Sequence, residues 1–284
     1  MTAPPLAVRA LIHAVVYLGA ATMLAPFAWM VYTSLLTRDQ ALQPPALWPG
    51  AWTSAVLPWN RRWANYTDAW QSAALGRFYL NSIIVATAVT VLSVLHNALA
   101  GFAFAKLRFA GRRPAFALTL ATMMLPYQAY FIFAYMLCVR LGYVDNYQAL
   151  IVPFLASAFG IFYMRQAIVT VPDSLLDAGR MDGLGNFELF VHVVVPLIRP
   201  GLGALAIFTF MAHWNSFFWP LVVIDSGANY TLPLAVAALS AGTYTDSIPV
   251  QMAAATIVTV PVIAVFLVFQ RGFVRGIALT GVKG

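Results

Sequence analysis

The chain has 284 residues, of which 62% are hydrophobic and only 9% charged. A water-soluble domain carries about a quarter charged residues, so this composition excludes a cytosolic enzyme, a secreted scaffold and a disordered chain. The net charge of +7 comes from 16 basic against 9 acidic residues scattered between apolar runs, a pattern of membrane topology and not the dense patch of a nucleic-acid binder.

A helix needs about 20 apolar residues to cross a bilayer core. In chain order, six stretches meet that requirement: 10–36, 79–105, 114–139, 148–166, 201–224 and 250–269. They predict an all-α polytopic membrane protein with residues 1–284 in one transmembrane domain. The first stretch is too long for the apolar core of a cleaved signal peptide and reads as a retained anchor. Pro153 and Gly160 interrupt the fourth. With the N-terminus inside, the inner segments hold Arg9, Lys106, Arg108, Arg112, Arg113, Arg165, Arg180, Arg199, Arg271, Arg275 and Lys283, against Arg38, Arg61, Arg62, Arg77 and Arg140 outside. The positive-inside rule then predicts cytoplasmic N- and C-termini.

The connecting segments differ in character. Residues 37–78 carry Trp48, Trp52, Trp59, Trp63 and Trp70, amphipathic rings suited to a membrane–water interface. Residues 225–249, with Gly227, Pro233 and Gly242, read as a mobile outer loop. The lone cysteine, Cys138, excludes an intrachain disulfide, and the dispersed His13, His96, His192 and His213 show no metal-ligand spacing. His96-Asn97 and His213 are polar groups inside apolar runs, where a helix–helix hydrogen bond is the plain role for His96. Pro126, Pro153, Pro220 and Pro261 need be no more than the prolines common in membrane helices.

The inner segment 167–200 is long and carries Asp173, Asp177, Asp182 and Glu188. Pro172 can start a helix, and Ser174-x-x-Asp177 has the form of a capping box. Leu175, Leu176 and Met181 give that helix an apolar face. Gly183 and Gly185 break it, and a second helix begins at Phe187, Leu189 and Phe190 and runs to Pro196. The expectation is a helical hairpin with an exposed apolar face and an acidic rim, suited to docking in a groove of another protein.

The hairpin's spacing goes further. Asp177-Ala178-Gly179, three residues, Gly183, nine residues and Val193-x-Val195-Pro196 resembles the EAA loop of ABC importer permeases: Glu-Ala-Ala, three residues, Gly, nine residues, Ile-x-Leu-Pro. Asp replaces Glu, Gly the second Ala, and Val both Ile and Leu. Gly179 is the least expected of these, since glycine weakens a helix by about 1 kcal/mol against alanine. Asp182-Gly183 resembles the sugar-importer branch. Asn65-Tyr66 with Asn81-Ser82, Met124-Leu125-Pro126, Trp214-Asn215, Trp219-Pro220 and the final Gly281-Val282-Lys283-Gly284 are similar to further motifs of that family, in order along almost the whole chain. The chain therefore resembles carbohydrate-type ABC importer permeases, including the smaller, six-span permease of the maltose importer.

The resemblance implies a type I ABC importer permease fold, with Asp177, Ala178, Gly179, Asp182, Gly183 and Pro196 in a cytoplasmic coupling hairpin gripped by an ATPase. It implies a tail, Gly281, Val282, Lys283 and Gly284, at the ATPase interface. It implies four partners or settings: a second homologous permease, two ATPase subunits as a homodimer, an extracytoplasmic sugar-binding protein, and the lipid of a prokaryotic inner membrane. No G-x-x-x-x-G-K-[ST] is present, so this chain is a non-catalytic subunit without a cofactor of its own, and MgATP belongs to the partner. Trp214 and Asn215 are either a pathway pair or an interfacial tryptophan beside a helix-pairing amide. Asn229, Tyr230, Thr243, Tyr244 and Asp246 carry groups that suit sugar hydroxyls, in a loop that either contacts the binding protein or merely connects. The alternative function is a stand-alone secondary carrier or channel, which leaves the hairpin unexplained; a membrane-embedded enzyme lacks a catalytic constellation.

Overall fold

The computed structural model describes residues 5–42, 63–72, 75–242 and 246–281, and among these it is helical with no strand. In chain order the helices are α1 (Leu6–Ser34), α2 (Arg38–Ala41), α3 (Ala64–Ser72), α4 (Leu75–Lys106), α5 (Arg112–Thr122), α6 (Tyr127–Arg140), α7 (Tyr147–Ile151) and α8 (Ala158–Val169). There follow α9 (Asp173–Met181), α10 (Asn186–Leu189), α11 (Val195–Leu197), α12 (Arg199–Trp214), α13 (Phe218–Val223), α14 (Leu232–Ser240) and α15 (Ile248–Gly281). By internal contacts the chain falls into two units: residues 1–76 with 235–260, and residues 77–234 with 261–284.

Among the described residues, two helices are long and apolar enough to cross a bilayer unbroken, Ala7–Ser34 and Leu75–Lys106. The segment 114–139, which reads as one continuous span, is instead bent by 102° between α5 and α6. The break falls at Met123–Pro126, where proline lacks the N–H that would continue the helix and clashes with the preceding turn. Tyr147–Phe154 and Ala158–Val169 are bent by 43°, with Pro153 in a 3-10 turn and Ser157 starting α8 by accepting from the Gly160 N–H at 3.2 Å. The segment 201–224 is split at Asn215 into α12 and the short α13. Pro26 and Pro261, by contrast, sit inside unbroken helices.

In the first unit, the Asn65-Tyr66 pair ties α3 to the end of α1. The Asn65 amide donates to the carbonyls of Ser34 and Leu36, both at 2.8 Å, and the Tyr66 and Ser34 hydroxyls meet at 2.7 Å.

The second unit has two apolar centres. One gathers Phe102, Met164, Ile168, Leu176, Leu189, Phe190, Val194 and Leu205; the other gathers Val85, Val89, Cys138, Leu150, Trp219 and Val223. Buried polar groups are costly in such surroundings unless paired; the Tyr127 hydroxyl, Trp214 indole N–H and Thr231 hydroxyl have no hydrogen-bond partner among the described residues, whereas the Asn97 side chain is paired at both ends. Asn97 is fully buried; its amide donates to Ser93 Oγ at 2.9 Å and its carbonyl accepts from the Ser157 N–H at 3.1 Å. That places an α4 side chain on the break between α7 and α8. The exposed residue of the His96-Asn97 pair is the histidine, so the helix-pairing role falls to Asn97.

Candidate functional site

The hairpin begins at α9 with Pro172 as N-cap and no side-chain cap. Ser174 therefore does not cap it, because the helix has already started at Asp173, whose carboxylate faces the positive helix end. Leu176 and Gly179 face inward. Ala178 is exposed, and its carbonyl accepts from the Asp182 N–H at 3.0 Å. Asp177 is exposed and paired with Arg180 at 2.6 Å. Gly183 has φ +86°, the left-handed conformation that an L side chain adopts only at a cost of roughly 1–2 kcal/mol. The turn closes through Gly183 N–H to the Arg180 carbonyl and Leu184 N–H to the Gly179 carbonyl, both 3.0 Å. Gly179 has a packing reason: a Cβ there would lie 2.5 Å from Leu189 Cδ2, so the absent methyl lets the two arms of the hairpin touch.

The return arm starts where the Gly185 N–H donates to Glu188 Oε2 at 2.7 Å. It is not one α-helix. Residues 190–194 form a π-helical turn between α10 and α11. Pro196 accounts for it, since its ring crowds the carbonyl four residues back and offers it no N–H. Pro196 itself is exposed. The outer surface of the hairpin is apolar, with Met181 88% and Phe187 66% exposed.

A clasp fixes the hairpin to α4. Lys106 Nζ donates to the Val171 carbonyl at 2.6 Å and to Asp173 Oδ1 at 2.7 Å. The Lys106 side chain is 7% exposed, and its ammonium holds the Asp173 carboxyl below the usual carboxylate range.

A cavity of about 840 Å³ opens in the same unit, within the roughly 300–1,000 Å³ of small-molecule sites. Its polar groups are those of Ser93, Thr122, Tyr127, Tyr130, Ser157, Thr209 and His213, with Phe154 and Trp219 as aromatic walls, and among the described residues no carboxylate, ammonium or guanidinium group lines it. The His213 and Phe154 rings meet edge-on at 4.7 Å. Trp219 is oriented by its indole N–H, which donates to the Ala149 carbonyl at 2.9 Å. The buried Tyr127 hydroxyl has no protein partner among the described residues. The pair Trp214 and Asn215 lies outside this lining: Trp214 is buried, stacked on Phe210 and edge-on to Tyr79, and the exposed Asn215 donates to the Met211 carbonyl at 2.9 Å.

Residues 225–230 form a pinned turn and not the free loop that their composition suggests. Asp145, at φ +61°, accepts through Oδ1 from the Ser226 N–H and hydroxyl, both 2.9 Å, and from the Asp225 N–H at 3.2 Å. The Asn229 amide is committed to the Asp145 carbonyl at 2.6 Å. These bonds, from the Ser226 N–H above all, hold the Asp145 carboxyl below its usual range. The Asn81 amide donates to the carbonyls of Ala228 and Tyr230, at 3.0 and 2.9 Å, while its own carbonyl accepts from the Tyr147 hydroxyl at 2.6 Å. Ser82 Oγ accepts from the Leu232 N–H at 2.7 Å, where α14 begins. Much of 225–249 is thus helix. Asp246 is exposed and belongs to the first unit, whereas Asn229 and Tyr230 belong to the second. Thr243, Tyr244, Val282, Lys283 and Gly284 lie outside the described residues, and Gly281 ends α15.

Sequence reasoning counted Lys106 only as an inner positive charge and passed over Asp145, Tyr127 and Ser157. Lys106 had a signal, as a cation closing an apolar run. Asp145 had a weaker one, an Asp-Asn pair soon after Gly142, both types that tolerate left-handed turns. The cavity had none, since its lining comes from residues between 93 and 219.

Residues 97–279 match the family model described as binding-protein-dependent transport system inner membrane component. The chain is 33% identical over 221 residues to the arabinooligosaccharides transport system permease protein AraQ of Bacillus subtilis, covering 78% of each chain. It is 31% identical over 264 residues to the lactose transport system permease protein LacG of Rhizobium radiobacter, covering 93% of each. It is also 31% identical over 275 residues to the sn-glycerol-3-phosphate transport system permease protein UgpE of Yersinia enterocolitica, covering 93% of this chain and 94% of the relative. The fold is similar, with TM-score 0.81 and 21% identity over 95% of this chain and 99% of the other, to a chain in the crystal structure of a bacterial ABC transporter involved in the import of the acidic polysaccharide alginate. With a family model matched over residues 97–279 and relatives aligned over 78% and 93% of it, this chain belongs to the inner membrane components of binding-protein-dependent transport systems.

Proposed function

We propose that this chain is the permease subunit of an ATP-driven sugar importer, folded as a single transmembrane domain with both termini cytoplasmic. It pairs with a second homologous permease to form the pathway. Two ATPase subunits, which alone bind MgATP, grip the hairpin, and an extracytoplasmic binding protein delivers the solute. The observation that carries this reading is the hairpin: an apolar, exposed surface on a rigid turn, held by Lys106 to a long apolar helix. ATPase closure would then move α4 with the hairpin as one body. A carrier that works alone has no use for such a surface.

The solute follows from the cavity. A phosphate ester or a uronate would need a permanent cation to offset its desolvation, and no lysine or arginine among the described residues lines the cavity. Hydroxyls and aromatic walls suit a saccharide without net charge, which is the chemistry in the names of the AraQ and LacG relatives and not of UgpE.

Reconstituting the assembled transporter with its binding protein tests both parts. ATP-dependent uptake of neutral oligosaccharides, several-fold reduced by Tyr127→Phe, is expected. Uptake without ATP would overturn the importer reading; ATP-driven uptake restricted to phosphorylated or uronic solutes would overturn the solute class alone.

A further inference from the structure

A second cavity, of about 660 Å³, lies between the turn that follows α4 and the start of α9. Lys106, Arg108, Arg112 and Arg180 line it together with Asp173 and Asp177. These charges do not cancel. Asp173 is matched by Lys106 at 2.7 Å and Asp177 by Arg180 at 2.6 Å, which leaves two guanidinium groups. Arg112 spends one Nη1 donor on the Leu107 carbonyl at 2.9 Å and keeps four of its five N–H donors. Arg108 makes no hydrogen bond or ion pair among the described residues.

The depth of these groups is set by α4. It is a 32-residue apolar helix whose last residue is Lys106, so the arginines that follow lie where hydrocarbon gives way to headgroups. Phe109, 45% exposed, stands on the same rim. A cationic recess beside an exposed aromatic ring matches an amphiphile with an anionic head. The guanidinium fork suits phosphate oxygens, and basic recesses at a membrane surface are sites for phosphate headgroups. The exposed apolar residues of the hairpin, Met181 and Phe187, are not part of this lining, so the recess lies beside the apolar face assigned to the ATPase and shares the Asp177–Arg180 pair with the coupling hairpin's rim.

We propose that this recess binds the phosphate group of an anionic phospholipid, gripped by Arg108 and Arg112, with the acyl chains beside Phe109. The site steadies the turn to which the hairpin is clasped, and it does not depend on the transported solute.

The test uses the full-length chain in its native assembly, in nanodiscs of phosphatidylcholine with and without phosphatidylglycerol, with retained lipid read by native mass spectrometry. Phosphatidylglycerol should be retained selectively. Arg108→Gln should lower its retention about fivefold, and the double variant with Arg112→Gln about 25-fold. Arg108→Lys, which keeps the charge, should retain most of it. Arg113→Gln, a neighbouring arginine outside the lining, should change nothing. Arg108 makes no hydrogen bond or ion pair among the described residues and acts on Asp173 only through space, while Asp173 keeps its direct Lys106 partner, so replacing Arg108 leaves the clasp in place and the single variant decides. Equal retention in Arg108→Gln and the unaltered protein overturns the proposal. Binding of inorganic phosphate in neutral nanodiscs that depends on Arg108, without retention of phosphatidylglycerol, would make this a free-anion site and overturn the lipid assignment.

Discussion

The hairpin at 172–198 and the turn at 225–230 belong to the same unit and are fastened to it by different forces. Leu176, Leu189, Phe190 and Val194 hold the hairpin by burial against Phe102, Met164, Ile168 and Leu205, with Lys106 as its polar clasp. Hydrogen bonds to Asp145 and Asn81 hold the turn. Apolar contact is non-directional and proportional to area, whereas hydrogen bonds fix distance and angle. The hairpin also leaves Met181 and Phe187 in the open, while the turn exposes no large apolar side chain. On the proposed function, the first region is the one covered by another protein and moved with it as a packed body. The other is built to present a fixed polar surface.

The comparison breaks most sharply at Gly183. Proline there locks φ near −65°, against the observed +86°, so the two arms can no longer close on each other. Gly183→Pro should abolish uptake and the co-purification of the ATPase while the chain still inserts. Gly183→Ala, at a cost of roughly 1–2 kcal/mol, should weaken both without abolishing either. Asp177→Lys sets a second cation beside Arg180 and should lose coupling by about 2–5 kcal/mol if ATPase docking buries the rim. Full transport in Gly183→Pro and Asp177→Lys would remove the hairpin from the mechanism.

The turn should respond to pH where the hairpin's apolar packing does not. Asp145→Ala removes the Oδ1 acceptor of four bonds, from the Asp225 and Ser226 N–H groups, the Ser226 hydroxyl and, at 3.4 Å, the Asn229 amide, and should destabilise the unit by about 2 kcal/mol. The folded-state pKa of Asp145 is depressed. Its contribution is therefore complete above the ordinary carboxylate pKa and is lost as pH falls through the lower folded value. Thermal unfolding followed from neutral to acid should show this loss in the unaltered protein and a flatter acid limb in Asp145→Ala. Parallel acid limbs would mean that the turn is held by its backbone alone.

The same contrast explains what was legible in the sequence. The hairpin is local: residues 177, 183 and 196 stand at fixed separations because a helix, a left-handed turn and a proline impose them. The apolar helices were legible for the same reason, and so were Gly183 as the turn and Asp177 as a rim charge. What needed the structure was everything that chain-distant contacts decide. Pro126 stands at a break between helices while Pro261 lies inside one unbroken helix, since packing and not proline alone decides whether a helix breaks. The Asn229 amide has the chemistry to meet a sugar, yet it donates to the backbone carbonyl of Asp145, 84 positions away. Trp214 has the aromatic face of a pathway residue but is packed on Phe210, and it is the adjacent His213 that lines the cavity. In a helix, one position is a rotation of about 100°, which composition cannot resolve.

The smallest effect expected, and the finest test of how the hairpin is packed, is at Gly179. Alanine there gains about 1 kcal/mol of helix propensity. Its methyl would also come within 2.5 Å of Leu189 Cδ2, and Leu189 is fully buried. Crowding a packed contact costs about 1–3 kcal/mol, so Gly179→Ala should be destabilising by no more than about 1–2 kcal/mol net. Leu189→Ala leaves a hole in the apolar centre and should cost more, about 2–5 kcal/mol. The two should not add. The new methyl lies next to the volume that Leu189 vacates, so the double variant should recover about 1 kcal/mol relative to the sum of the singles. A double-mutant cycle by thermal unfolding measures this directly. Strict additivity would mean that the arms do not touch at this point, and the glycine in place of the family's alanine would then have no packing role.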